Sequence, residues 1–213
     1  TYSEDIGGLE PAWSANARFY NRNIELAASA MEIGDDFNPA MGFVQRQGTR
    51  VYKIAADYVP YHDDIDWLRN TRHGYEAELY TDLGNDVVNT KQQFNLLSLY
   101  LESQDVIKFD ISHLTDRPNE DFAISDGSIV PAGNYDWWEA RAYGYFGMQR
   151  SLFLRPMYRV GGFYDGTRQQ ISLETFYRPW RKLLVGGEYS VNLIDWDALD
   201  ESTIRQISGT LRY

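Results

Sequence analysis

Cysteine is absent from the 213 residues, which removes a disulfide framework, a thiolate metal site and a cysteine nucleophile together. No apolar run approaches the roughly 18 residues that a helical membrane span requires. Histidine occurs only at His62, His73 and His113, and none has a second His or a carboxylate at metal-ligand spacing. Basic residues are outnumbered, with a net charge of -11. That balance denies the chain the positive footprint that nucleic acid demands. No Gly-x-Ser-x-Gly elbow, phosphate-binding loop or dinucleotide fingerprint occurs. A glycosidase needs two carboxylates at a set separation in a cleft, and no pair stands out as that one. The opening Thr1-Tyr2-Ser3-Glu4-Asp5 is polar and acidic. It lacks the apolar core of a secretory signal, so the start reads as a processed end or an internal cut.

What the chain does have is strict two-residue alternation, in about eleven stretches of roughly 8 to 11 residues, the length of a tilted membrane-crossing strand. Trp13, Ala15, Ala17 and Phe19 alternate with Ser14, Asn16, Arg18 and Tyr20. Ile107, Phe109 and Ile111 alternate with Lys108, Asp110 and Ser112. Between the stretches, the connections read as sorted by parity. The tight ones are Asn21-Arg22-Asn23, Ser103-Gln104-Asp105, 147–151 and 178–182, with a medium one around His62. The long ones are 34–48, 82–91, 115–135, 162–168 and 194–202. Outer-membrane barrels keep the turns short at one rim and let loops grow at the other. The expected fold is therefore all-β: an antiparallel up-and-down transmembrane β-barrel of about 11–12 strands, a single domain over residues 1–213 or part of a larger barrel. Such barrels normally have an even strand number, so a further strand is expected before Thr1 or in the segment up to Pro11. A mean hydropathy of -0.50 fits, because a barrel shows lipid only every second residue. The 16 Tyr and 6 Trp suit interfacial girdles.

On the polar sides of these stretches lie Lys53, Glu76, Glu78, Lys108, Asp110, Glu139, Arg141, Arg155, Arg159, Glu174 and Glu188. In a barrel they line the lumen and pair across strands; in a soluble sandwich they would be the solvated exterior. Acidic residues collect in the connections, among them Asp35, Asp36, Asp116, Asp121, Asp165, Asp195 and Asp197. Oxygen-rich loops can hold Ca²⁺, and Asp195 and Asp197 are the weak candidates for it. A solvated acidic surface is the simpler reading.

Four motifs carry a resemblance. They are Asp35-Asp36-Phe37-Asn38-Pro39-Ala40-Met41-Gly42-Phe43-Val44, the run Ile129 to Tyr135, Gly162 to Arg168, and Tyr177-Arg178-Pro179-Trp180. With them the chain, from about Trp13 to Tyr213, resembles a bacterial outer-membrane β-barrel family of unknown function. That resemblance implies longer proteins, usually with an N-terminal module similar to family-9 carbohydrate-binding domains, and strands continuing past this chain. It carries no catalytic residue and no carbohydrate contact onto any position here. The motifs also read as loop architecture: Asn38-Pro39 initiates a turn, and Asp165-Gly166 suits a hairpin with the glycine at positive φ.

The expected role is an integral outer-membrane channel, export conduit or anchor with no chemistry of its own and no cofactor. Its partners would be outer-membrane lipid, lipopolysaccharide and the barrel-assembly machinery. Two other readings stay open: a soluble barrel or sandwich binding a ligand, such as carbohydrate, in its interior, and a hydrolase embedded in a barrel.

Overall fold

The computed structural model describes residues 12–37, 47–125, 128–196 and 199–213. Eleven strands form one antiparallel sheet in which each strand pairs with its chain neighbours. They are β1 (Ala12–Tyr20), β2 (Ile24–Ile33), β3 (Thr49–Tyr58), β4 (Leu68–Asp82), β5 (Val87–Leu101), β6 (Val106–Asp116), β9 (Tyr135–Tyr145), β10 (Leu152–Phe163), β11 (Gly166–Trp180), β12 (Leu183–Trp196) and β13 (Leu199–Arg212). The pair β7 (Phe122–Ser125) and β8 (Ser128–Val130) makes a separate small hairpin inside the loop between β6 and β9. Among the described residues β1 pairs only with β2, and β13 only with β12. The expected strand before Pro11 falls outside the described residues.

The strands outrun the apolar alternation, and this corrects the loop reading. The connection expected at 82–91 shrinks to 83–86, and the one at 162–168 to the two residues Tyr164 and Asp165. Strands β12 and β13 close to within residues 197–198 of each other, positions outside the described set. Only 34–48 and 117–134 remain long at that rim, while 59–67 at the opposite rim is longer than several of its counterparts. A hydrogen-bond ladder needs backbone groups, not apolar side chains, so it continues through residues that are polar on both faces. Such residues look like loop in the sequence.

Asp165-Gly166 is corrected too. The residue at positive φ is Tyr164 (φ 55), and Gly166 is the first residue of β11. A tyrosine in the left-handed region is strained. Its ring packs against Phe122, Tyr135, Trp137 and Phe163, and its hydroxyl donates to Asp116 Oδ2 at 2.9 Å. Those contacts hold the conformation in place.

The cross-strand rows reveal strand tilt. One outward row runs Ala17, Ala28, Ile54 and Ala77 on β1 to β4, then continues as Gln92 and His113 on β5 and β6. The row nearer the β1–β2 turn stays apolar much further, through Leu26, Phe94, Ile111, Ala140 and Val160, before meeting Gln169 and Thr203. The apolar band therefore steps down the strands as it crosses the sheet. A band perpendicular to a barrel axis must do this when the strands are inclined to that axis.

Candidate functional site: the charged wall

Because side chains alternate across a strand, the register assigns every residue a face. All eleven polar candidates (Lys53, Glu76, Glu78, Lys108, Asp110, Glu139, Arg141, Arg155, Arg159, Glu174 and Glu188) fall on one face of the sheet. Direct neighbours include Lys53 and Glu78, Asp110 and Arg141, and Arg155 and Glu174. Each of these three pairs is an ion pair, at 3.1, 2.6 and 2.6 Å respectively.

This face is the enclosed one. Ser98 is 0% exposed and Asp110 3%, while Ser112 and Ser190 are also buried. The opposite face carries Ile54, Tyr58, Trp138, Ile171, Leu173 and Tyr177 in the open, Ile54 at 54% and Ile171 at 58% exposure. Polar groups inside and large apolar groups outside invert the ordinary order of a water-soluble fold.

Several members of the wall were not legible as such. Arg168 lies in what reads as a loop, yet β11 carries it to the charged face, where it donates to Glu139 Oε2 at 2.7 Å. Arg72 bridges Glu25 at 2.9 Å and Asp57 at 3.4 Å. Lys108 sits between the Tyr100 and Tyr143 rings. The signal for Arg168 was present: it shares the parity of Gln170, Ser172 and Glu174.

At the rim with the two long loops, the wall turns aromatic. Tyr135, Phe163, Ile194, Trp196 and Ile204 share the charged face by register. The β7–β8 hairpin folds over them, burying Val130 to 1% exposure against Ile194 and Trp196. Burial, reinforced by the hydrogen bond to Asp116, raises the pKa of Tyr164 above that of an ordinary phenol. Beside this cluster a cavity of about 790 Å³ opens on the charged face, lined by Val51, Lys53, Glu78, Tyr80, Lys91 and Trp137 among others.

At the other rim, Asp105 ties two turns together. Its Oδ1 accepts from the Gly147 N–H at 2.8 Å, and its Oδ2 from the Ser103 hydroxyl at 2.8 Å and from Arg150 at 3.0 Å. The Gly147 N–H holds its carboxyl below the usual Asp range, against the opposing effect of burial, with Ser103 and Arg150 adding to the lowering. The loop acids likewise serve the backbone: Asp121 accepts from the Ala132 N–H at 2.8 Å, and Asp82 from the Asp86 N–H at 2.8 Å.

Metal chemistry finds no support among the described residues, where no group of three or more potential ligands converges. Asp195 shares the outward face with Thr167 and Leu193; Asp197, the other Ca²⁺ candidate, lies outside the described residues, as does 38–44 of the first motif. His62 meets Thr71 Oγ1, His73 meets the Leu96 carbonyl and His113 meets Asp136.

No family model and no curated protein matches the chain. Among solved structures, the chain is similar to the outer membrane channel DcaP of Acinetobacter baumannii, with a TM-score of 0.57 at 13% sequence identity over 94% of this chain. The match spans 61% of the DcaP chain. At that identity the likeness speaks to fold alone, and the shared fold is an antiparallel up-and-down β-barrel wall.

Proposed function

We propose that this chain is the wall of a channel in a bacterial outer membrane, its charged face bounding a water-filled passage. One observation carries the reading: large apolar side chains are open to the surroundings while ion pairs are enclosed. Hydrocarbon would bury the first group and lumen water would solvate the second. The tight-turn rim faces the periplasm on this reading, and the long loops with their β7–β8 cover face outward. Outer-membrane lipid and lipopolysaccharide are the partners of the apolar band, and barrel-assembly machinery inserts it. The motif resemblance fits here, making the chain a barrel part of that family of unknown function.

That the similar solved structure is a channel supports conduction over simple anchoring, and the half-exposed Lys53 and Arg155 side chains keep the wall open to solvent. Reconstitution in planar bilayers tests this, with stepwise conductance expected. A membrane-inserted protein that passes no current would leave an anchor instead. Protein released in soluble, compact form by a carbonate wash would remove the membrane reading altogether. A soluble sheet would gain nothing from an exposed band of Ile54, Leu173, Ile171 and Tyr189, which argues against the interior-binding soluble alternative.

A further inference from the structure

Three arginines crowd one patch of the charged wall. Arg141 on β9 and Arg159 on β10 are direct cross-strand partners. Arg168 on β11 is the diagonal neighbour of Arg159, whose direct partner there is Gln170. Like charges placed opposite each other weaken a sheet, so the arrangement breaks a local rule. Such breaks concentrate at functional sites.

Among the described residues only two carboxylates, Asp110 and Glu139, pair with these three guanidinium groups. Asp110 is taken by Arg141 at 2.6 Å. Glu139 is taken by Arg168 at 2.7 Å, and approaches Arg159 no closer than 3.9 Å. Glu174, the next acid along the wall, is held by Arg155 at 2.6 Å. Among the described residues no side-chain hydrogen bond engages the Arg159 guanidinium, and its Nε is buried without a partner, as is Nε of Arg168. Arg141 stacks over Tyr143 at 4.5 Å and Arg168 over Phe163 at 4.4 Å, so both flanking guanidinium groups are pinned. Between them Arg159, with 24% of its side chain exposed, offers planar donors and one uncompensated charge.

We propose that Arg159, flanked by Arg141 and Arg168, is an oxyanion-binding subsite that takes the carboxylate or phosphate group of a solute. The guanidinium fork matches either group with two parallel hydrogen bonds. The bound anion would supply the third negative charge that the patch lacks. This rests on the charged face being open to water, as the channel reading requires.

Calorimetric titration of the protein, folded in detergent micelles at fixed ionic strength, tests the proposal with inorganic phosphate and acetate as probes and chloride as the reference. Saturable binding of phosphate, acetate or both is expected; which probe binds tighter assigns the subsite to phosphorylated or carboxylated solutes. Arg159→Gln should weaken that binding about tenfold, the scale of one charge-assisted hydrogen bond. Arg205→Gln removes the same charge from the opposite face and should leave binding unchanged. Since Arg159→Gln relieves repulsion, its melting temperature should equal or exceed that of the parent. Absence of saturable binding beyond chloride, or an Arg159→Gln variant that melts lower yet binds normally, overturns the subsite. No voltage is involved, so binding without conductance would keep the subsite and remove the channel, and conductance without binding would do the reverse.

Discussion

The two faces of this sheet are built from the same strands and solve opposite solvation problems. On the outward face, Ile54 and its neighbours on β2 to β4 are apolar and open, and no side-chain hydrogen bond is needed at mid-strand. The inward face carries eleven charged side chains singled out by the sequence and further ones such as Arg168, and among them Lys53, Asp110, Arg155 and Arg168 each find an opposite charge on a neighbouring or nearby strand. The lesson is that pairing register, more than composition, makes the polar face tolerable. A shift of one residue would swing Lys53 away from Glu78 and Arg141 away from Asp110, and would expose all of them to the apolar side.

The comparison breaks most sharply on the outward face. Ile54→Arg should cost about 2–4 kcal/mol in a bilayer, read as lost insertion into lipid vesicles. In a water-soluble sheet the same exposed position would tolerate arginine to within about 0.5 kcal/mol. Leu99→Arg and Ile111→Arg, on the same face, should fail likewise.

On the inward face, Asp110→Asn leaves Arg141 without its carboxylate. Loss of one member of a buried pair costs about 3–5 kcal/mol. Arg141 keeps 28% exposure, so on the channel reading lumen water should hold the loss to about 2 kcal/mol, measured by denaturant unfolding in micelles. A full 5 kcal/mol would mean a dry interior.

Gly147→Ala probes the tight-turn rim. Gly147 has φ +74, and an added Cβ would fall 2.1 Å from the Leu152 carbonyl oxygen, a cost of about 1–3 kcal/mol. Normal thermal stability of this variant would argue that the turn relaxes freely.

The smallest effect is in pH. The Asp105 pKa is lowered on folding from the ordinary 3.8, so its contribution is fully present above that value and fades as pH falls through the folded one. Asp105→Asn should flatten stability against pH below about 4 and leave the neutral range nearly parallel to the parent. An unchanged acid limb would remove Asp105 as the clasp between the two turns.

Period-2 alternation made the strands legible, because each side chain must meet either the inside or the outside and the pleat gives no third choice. Ile107 to Ser112 could be read on sight. Loop lengths could not, since the ladder through Thr167 and Arg168 continues on backbone hydrogen bonds that any residue can make. The charged wall was legible as a set of parities, and eleven of its members were assigned to their face that way. Arg168 was missed for the same reason as the end of its strand. The long-range duties of Asp105 and Asp121 were also invisible, because Gly147, Arg150 and Ala132 lie many residues distant from them.

By itself the sequence determined which side chains share a face, because alternation is a local property of an extended chain. The tertiary structure alone decided which charges meet, leaving Arg159 between two occupied guanidinium groups, and set Trp196 and Val130 together under the loop hairpin. Those outcomes depend on strand register and curvature, which arise when distant segments pair and which no single stretch of residues encodes.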